Sequence, residues 1–393
     1  MWYQADVSDS EQPSLSAFAV TRYKAFARTA RVELGRLTLV LGRNNAGKTA
    51  LSTAPVFFTH PFRPDAAPPF PSNFQSIDFC RGFLSACFDR RATGLEAELS
   101  FTGCEVKRLR MVATALPERN QEQVFTDVEI DATAGQVNER GMLAWDVVKP
   151  MFAAHPDLAR VAAGIGALSA LRPPVARSFA YLGTPPSGLG FGGELAAHHL
   201  ARAKRDGDTD AFDRLNAWLE VLGVRVDVDL GTDAFEITVA RRGGPRVNLA
   251  DAGAGIPQIL PLAVGVTVAP EALPQLFIIE QPEIDLHPAA HASVAELLIR
   301  ALQAKPSLRL IVETHSDALV LRIRRAVAAR HLSHDDIALY FVDDDQMAGA
   351  ASVRRIALND RGTPASWPKG VFAEPQEEFN EIRRILAKRD KAP

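Results

Sequence analysis

The 393-residue sequence has few cysteines and no large excess of either charge. The three cysteines, Cys80, Cys87 and Cys104, lie in one region without the paired spacing of a metal site, so we expect buried thiols in a reducing compartment. A net charge of −3 argues neither for nor against nucleic acid, because a basic face can lie within a neutral total. The length allows one large domain or two ordinary domains with a substantial core.

The sequence also lacks a long apolar run. Its longest apolar stretch, ILPLAVGVTVAP, is shorter than the roughly 20 residues that a membrane-spanning helix needs. The N-terminal stretch MWYQADVSDSEQPSL lacks the basic n-region and the apolar core of a secretory signal. We therefore expect a cytoplasmic protein without a membrane partner.

The pattern of apolar residues predicts an α/β protein in which an insertion separates two lobes. A helix from Asp210, which can cap it, to Leu222 ends at Gly223, and the segments VRVDVDL and AFEITVA form a hairpin around GTD. Beyond residue 276, the runs LFIIE, LRLIVE and IALYFV are expected to be strands, with a helix over 289–304. We divide the chain into an N-terminal lobe (1–60), its β-rich continuation (61–140), a mainly helical insertion (141–222), a C-terminal lobe (223–345) and a final segment (346–393).

A phosphate-binding loop follows the last strand of the N-terminal lobe. The stretch GRNNAGKT matches the pattern G-x-x-x-x-G-K-[ST] between a predicted strand and a predicted helix. Backbone N–H groups of such a loop surround the phosphates, the lysine contacts the β- and γ-phosphates, and the threonine ligates Mg²⁺. The predicted ATP-binding residues are Gly42, Arg43, Asn44, Asn45, Ala46, Gly47, Lys48, Thr49 and, at the start of the helix, Ala50.

The strand LFIIE ends in the acid that a phosphate-binding loop requires for Mg²⁺. If Glu280 activated the attacking water, the metal position would fall on Ile279, which cannot be a ligand. We therefore interpret Glu280 as the metal-side acid, which places Gln281 at the water-side position. An amide orients water but does not readily accept its proton, so we expect slow hydrolysis, with Glu283 or His315 assisting.

Two further motifs offer phosphate contacts. His315, in IVETHSD, follows a second buried strand, where a neutral imidazole could contact the γ-phosphate or the attacking water; a purely structural histidine is the alternative. The stretch NLADAGAGIPQILP contains Gly253 and Gly255 and opens an apolar helix, so it could bind an anion at the helix N-terminus. An ordinary tight turn is the alternative there.

In this order the motifs resemble those of the ABC-type ATPases of the SMC and OLD (overcoming lysogenisation defect) group of bacterial AAA-family ATPases. The resemblance covers roughly residues 15–60 and 245–375 and implies a P-loop NTPase head of the ABC type, with a mixed sheet. It also implies a homodimer that binds ATP and Mg²⁺ between two copies, with Gly42–Thr49 of one copy facing Gly253–Gly255 of the other.

The same resemblance implies individual roles. Glu280 would be the Walker B acid, His315 the switch histidine, residues Asp285–His287 the D-loop, and Gln75 the Q-loop glutamine that contacts the metal. The final segment, with IALNDRGTPASWPKGVFAE, is similar to a small domain of unknown function in one branch of the group. Relatives of this kind commonly occur in bacterial anti-phage defence and DNA-maintenance systems, and by analogy we favour defence.

Three functions compete at this point. The leading hypothesis is a slow ATPase whose ATP-dependent dimer controls a separate effector protein in anti-phage defence. The alternative is a nucleotide-gated scaffold, or a DNA-maintenance ATPase with negligible turnover. The basic helix LRIRRAVAARH could contact DNA phosphates, but a solvated helix face is the favoured explanation of its charges. A nuclease would need a carboxylate cluster, and the acids of VDDDQ (342–346) are typical of a solvated turn.

Overall fold

The computed structural model describes residues 12–74, 77–80, 83–90, 94–116, 122–132, 135–345 and 349–367. The strands in this part of the chain are β1 (Ser14–Thr21), β2 (Ala30–Glu33), β3 (Leu37–Gly42), β4 (Asn73–Phe74), β5 (Ile77–Asp78), β6 (Leu95–Thr102), β7 (Val106–Leu116), β8 (Glu122–Ala132), β9 (Gly135–Leu143), β10 (Ile165–Leu168), β11 (Phe179–Ala180), β12 (Val224–Leu230), β13 (Ala234–Arg241), β14 (Arg246–Asn248), β15 (Leu276–Glu280), β16 (Arg309–Glu313), β17 (Ile337–Asp345) and β18 (Ala350–Ile356). The α-helices are α1 (Lys48–Thr59), α2 (Phe83–Ala86), α3 (Trp145–Ala153), α4 (Pro156–Ala163), α5 (Ala196–Arg205), α6 (Thr209–Leu219), α7 (Gly255–Thr267), α8 (Pro288–Ala304) and α9 (Asp317–Ala328). None of the described helices is long and apolar enough to cross a membrane.

A mixed sheet in the order β10-β15-β16-β3-β17-β18 forms the centre of the fold. Its first five strands are parallel, and β18 pairs antiparallel to β17. Strand β16 therefore lies between β15 and β3, although it follows both in sequence. Because parallel strands end at the same edge, the residues that follow β15, β16 and β3 meet there.

Each face of the central sheet covers its own apolar core. Along β15, Leu276 and Ile278 pack into one core, while Phe277 and Ile279 pack into the other. This alternation is what a strand buried on both faces requires, and it explains the uninterrupted apolar run LFII. The first core also contains α1 and an antiparallel sheet in the order β2-β1-β6-β7-β8-β9. The second contains α5 to α9.

The predicted hairpin is confirmed: β12 and β13 pair antiparallel, from Val224 opposite Arg241 to Leu230 opposite Phe235. The predicted helix before it is confirmed as α6, which ends at Leu219; a 3₁₀ turn, Glu220–Leu222, continues it to Gly223, whose φ is 70°. The predicted cap at Asp210 is wrong. Asp208 is the N-cap instead, and its side chain accepts a 2.9 Å hydrogen bond from the backbone N–H of Ala211.

Residues 141–222, expected to be a mainly helical insertion, also contribute a strand to the central sheet. The short strand β10 within them pairs parallel to β15 and becomes the edge of the central sheet. Its four residues, IGAL, are too few for sequence periodicity to distinguish a strand from a helix. At the other end of the chain, β18 extends the same sheet beyond β17. Cys80, Cys87 and Cys104 are all buried free thiols, as predicted.

Candidate nucleotide-binding site

The phosphate-binding loop joins β3 to α1 and depends on two glycines with positive φ. Gly42 has a φ of 150°, and a Cβ there would lie 2.2 Å from the carbonyl oxygen of Val342. Gly47 has a φ of 100° at the N-cap of α1. Residues Arg43, Asn44 and Asn45 are exposed between them. The loop therefore leaves the N-terminus of α1 open to an anion, which the helix dipole favours.

Lys48 lies beneath this loop rather than in solvent. It is 4% exposed, and its Nζ donates a 2.7 Å hydrogen bond to the carbonyl oxygen of Arg43. Burial lowers the pKa of Lys48, and the nearby carboxylate of Glu313 opposes this effect. The ammonium group is thus held at the loop where phosphates would bind, and it can exchange its carbonyl partner for a phosphate oxygen.

Two acids end adjacent strands of the central sheet at this edge. Glu280 ends β15, Glu313 ends β16, and the two residues are paired in register. Glu313 is 2% exposed and accepts hydrogen bonds from two hydroxyls near the start of α1: Thr49 Oγ1 at 3.2 Å and Ser52 Oγ at 3.3 Å. The side chain of Gln281 also hydrogen-bonds Glu313. Glu313 was not among the predicted site residues, although it ends an apolar strand as Glu280 does.

Burial of the two neighbouring acids disfavours their ionised forms. The pKa of Glu280 is raised from 4.5 to about 7, first by burial and second by the charge of Glu313. Burial also raises the pKa of Glu313, opposed by its hydrogen bonds and by Lys48. A divalent cation between such acids would remove this cost, because it compensates both negative charges.

Arg172 is a second residue that the sequence analysis missed. It lies in the loop that follows β10, is 8% exposed, and its three guanidinium nitrogens have no hydrogen-bond partner among the described residues. Burial lowers its pKa to about 10, and Glu280 opposes this shift. Two residues before it, the backbone N–H of Ala170 donates a 3.2 Å bond to Oε2 of Glu280. The loop thus positions Glu280 and places a cation near it.

Glu283 connects the turn after β15 to the loop after β16. It is 6% exposed, and its Oε1 accepts hydrogen bonds from Thr314 Oγ1 at 2.7 Å and from the backbone N–H of His315 at 2.8 Å. The His315 side chain itself is exposed. Partial burial and the charge of Lys48 lower the pKa of His315, which favours the neutral imidazole near pH 7. The predicted catalytic residues Glu280, Gln281, Glu283 and His315 therefore lie on one sheet edge.

The two glycines before α7 have different surroundings. A Cβ on Gly255 would lie 2.6 Å from the carbonyl oxygen of Asp285, so the turn packs closely on the predicted D-loop. A Cβ on Gly253 would meet nothing within 4 Å. Both glycines line a groove of about 920 Å³ with Asp285–His287, and the residues that line it include none from 42–50. Gln75 lies outside the described residues, so its predicted metal contact stays a prediction.

The chain is similar to known proteins in fold and in part of its sequence. The protein family described as "AAA domain, putative AbiEii toxin, Type IV TA system" matches residues 130–322, a range that includes Gly253, Glu280 and His315. A search of the curated proteins finds no match. Part of the chain thus carries the sequence pattern of an AAA domain.

The solved structures extend the likeness to nearly the whole chain. One is the Smc head domain with an extended coiled coil bound to the C-terminal domain of ScpA, from Pyrococcus furiosus. It is 10% identical, with a TM-score of 0.55, over 95% of this chain and 100% of that one. Another is an Smc head bound to the C-winged helix domain of ScpA, 11% identical, with a TM-score of 0.51, over 88% and 98% of the two chains.

These likenesses confirm the predicted fold class. The chain is an α/β P-loop NTPase with the mixed sheet of an ABC-type head, similar to that of SMC proteins. With the AAA family match, they support an ATP-binding ATPase. In the described part of the chain, no group of three or more His, Cys, Asp or Glu side chains is arranged to hold a metal ion.

Proposed function

We propose that the chain binds ATP and Mg²⁺ between two copies of itself, hydrolyses ATP slowly, and through the closed dimer controls a separate effector protein in the cytoplasm. The observation that carries this proposal is the sheet edge at which Lys48 and Thr49 lie beside the buried acid Glu313, which is paired in register with the partly buried acid Glu280. A cation and a hydroxyl facing two carboxylates are the groups that a nucleotide triphosphate with Mg²⁺ requires.

The phosphates bind to the backbone of Gly42–Thr49 and to the N-terminus of α1. Mg²⁺ is held by Thr49 and by the acids of the sheet edge, which suit it because Mg²⁺ prefers oxygen ligands and keeps several waters. The magnesium would neutralise charge on the β- and γ-phosphates. Lys48, already held at the loop by a carbonyl oxygen, contacts the phosphates directly.

Hydrolysis is slow in this proposal because Gln281 stands at the water-side position. A general base typically contributes about 10²–10⁴-fold to such a reaction, and an amide does not supply that contribution. His315, neutral and exposed, assists by orienting the attacking water. The contacts of Glu283 support a positioning role, since its Oε1 already accepts two hydrogen bonds from the loop that carries His315.

The second copy contributes Gly253 and Gly255. Open space at Gly253 leaves its backbone accessible to the phosphates of a partner's nucleotide, while Gly255 fixes the turn on the D-loop. Control of an effector is supported by the similar Smc heads, which are solved bound to parts of ScpA. A role in anti-phage defence is proposed by analogy, and the description of the matching family as a putative AbiEii toxin is compatible with it.

A nucleotide-gated scaffold without turnover is the second candidate, and Gln281 favours it. Binding of DNA by α9 has less support, because two of its arginines have internal partners. Arg322 pairs with Glu296, and Arg324 donates a 2.8 Å bond to the carbonyl oxygen of Gly362. A solvated, internally paired face explains this helix better than a phosphate-binding one.

Titration with labelled ATP and light scattering after gel filtration test the proposal. The wild type is expected to bind ATP and to form a dimer with it, whereas Lys48→Ala is expected to lose both properties. Hydrolysis that is measurable yet slow separates an ATPase from the scaffold. A wild type that fails to bind ATP, or a Lys48→Ala variant that binds it equally well, overturns the proposal.

A further inference from the structure

The acid in direct contact with the magnesium-binding threonine is Glu313, on β16. Thr49 Oγ1 donates its 3.2 Å hydrogen bond to Oε1 of Glu313, and the other oxygen of this carboxylate accepts from Ser52. Glu280 has different neighbours. Its Oε2 accepts a hydrogen bond from the backbone N–H of Ala170, and the nearby charge of Arg172 favours its ionised form.

The order of the strands explains this arrangement. Strand β16 lies between β15 and β3, so its last residue is closer to the loop that follows β3 than the last residue of β15 is. Glu313 is paired with Val40 of β3 on one side and with Glu280 of β15 on the other. An acid at the end of β16 therefore stands between the phosphate-binding loop and Glu280.

We propose that Glu313 is the principal protein acid of the magnesium site, and that the site takes its two acids from adjacent strands instead of from two consecutive residues of one strand. This inference rests on the proposed function, since it assumes that Thr49 ligates Mg²⁺. A carboxylate within hydrogen-bonding distance of that hydroxyl contacts the cation or one of its waters, because Mg²⁺ is bound through one or two carboxylates and keeps its other waters.

The proposal also gives Gln281 a positive role. Its side chain hydrogen-bonds Glu313, and its backbone N–H donates a 2.8 Å bond to the carbonyl oxygen of the same residue. An amide at this position donates to the carboxylate, whereas a glutamate would add a third negative charge to a buried pair. Gln281 is thus also a positioning residue for Glu313, and Gln281→Glu is expected to weaken Mg²⁺ binding.

The dependence of ATP affinity on Mg²⁺ concentration tests the inference without relying on turnover. Labelled ATP is titrated in EDTA and over a series of Mg²⁺ concentrations, with wild type, Glu313→Gln and the matched variant Glu280→Gln. Loss of a residue that orients or holds a metal typically weakens its binding about 10–100-fold, and we expect such a loss for Glu313→Gln. Glu280→Gln is expected to lose less.

The ATP affinity in EDTA shows whether each variant still folds and binds phosphate. If Glu313→Gln does not bind there, Glu313→Asp replaces it, and its shorter side chain is expected to weaken Mg²⁺ binding at least several-fold. An unchanged Mg²⁺ requirement in the variant that folds, or a larger loss in Glu280→Gln than in Glu313→Gln, overturns the inference. Failure of the wild type to bind ATP in either buffer would instead overturn the proposed function.

Discussion

Glu283 accepts a hydrogen bond of 2.8 Å from the backbone N–H of His315, and so fixes the loop after β16 to the turn after β15. The same oxygen accepts a second bond from Thr314 Oγ1. Because Glu283 is buried, its contact with that loop is internal to the protein. This geometry distinguishes the two candidates for assisting hydrolysis. Glu283 holds the loop from inside the protein, whereas His315 has an exposed side chain, which in the proposed function faces the nucleotide.

Replacement of Glu283 distinguishes a positioning residue from a general base. Glu283→Gln keeps an oxygen that accepts both hydrogen bonds, so we expect turnover within a few-fold of the wild type. Glu283→Ala leaves two buried donors without a partner, which costs about 1–3 kcal/mol in the free energy of unfolding and displaces His315. Steady-state ATPase rates and denaturant titrations measure these effects. A rate reduced about 10²-fold or more in Glu283→Gln would identify this residue as the base after all.

His315 predicts a specific dependence of hydrolysis on pH. The pKa of its imidazole lies below the ordinary value of 6.5, so the neutral form predominates near pH 7. If neutral His315 orients the attacking water, the rate falls as the pH decreases through that pKa and the ring gains a proton. Single-turnover rates at saturating ATP and Mg²⁺ measure the profile.

His315→Gln is the control for this profile, since it retains hydrogen-bonding groups that do not titrate there. Glu280 titrates in a neighbouring range, so the wild-type curve by itself does not identify the group. We expect the variant to be slower, by about 10-fold or more for the loss of one catalytic group, and to lack the step at low pH. If the rate falls at the same low pH in the wild type and in His315→Gln, a group other than His315 causes the fall.

The residues of the site that were predicted share one property: each belongs to a motif that is local in sequence. Lys48 and Thr49 lie in a phosphate-binding loop, and Glu280 follows an apolar run that is long enough to be recognised as a buried strand. Glu313 ends a similar run, but its role depends on the position of β16 between β15 and β3. The order of strands in a sheet is set by the tertiary fold, and the periodicity of apolar residues does not predict it.

Arg172 was missed for a related reason. It lies more than one hundred residues before Glu280, after a four-residue strand whose partner the sequence does not specify. The N-cap of α6 was mispredicted because residue type does not decide between two aspartates. Asp208 and Asp210 are both acceptable N-cap residues, and the backbone conformation determines that Asp208 is the N-cap. Long, periodic elements such as β15 and α8 were predicted within a residue or two.

The raised pKa of Glu280 makes a prediction about stability. The pKa of the Glu280 carboxyl rises from 4.5 to about 7 on folding, so the folded protein favours its protonated form. The resulting contribution to the free energy of unfolding is fully present below pH 4.5 and is lost as the pH rises through 7. Above that range the folded protein without Mg²⁺ holds a partly buried charge that costs about 3 kcal/mol, at about 1.36 kcal/mol for each unit of pKa. Glu280→Gln is expected to stabilise the protein by that amount near pH 8.

Urea titrations in EDTA near pH 5 and pH 8 measure the difference between wild type and Glu280→Gln. The stabilisation should be small at the lower pH, where the folded wild type already carries the proton. Addition of Mg²⁺ and ATP near pH 8 should stabilise the wild type more than the variant, because the cation compensates the ionised acid. A difference that is the same at both pH values would show that burial of the charge is not its cause.

The two glycines before α7 form a matched pair of sites for testing the dimer. A methyl group on Gly255 would lie 2.6 Å from the carbonyl oxygen of Asp285, so Gly255→Ala must displace backbone, and overpacking of this kind costs about 1–3 kcal/mol. The methyl group of Gly253→Ala would meet nothing within 4 Å, so this variant should keep the melting temperature of the wild type.

The same methyl group tests whether Gly253 faces the nucleotide of a partner copy. If it does, the methyl group hinders closure of the dimer. We then expect dimerisation with a slowly hydrolysed ATP analogue to weaken about 10-fold, the equivalent of 1.4 kcal/mol. Sedimentation of both variants with and without the analogue measures this. A Gly253→Ala protein that dimerises like the wild type would place the partner's phosphates elsewhere.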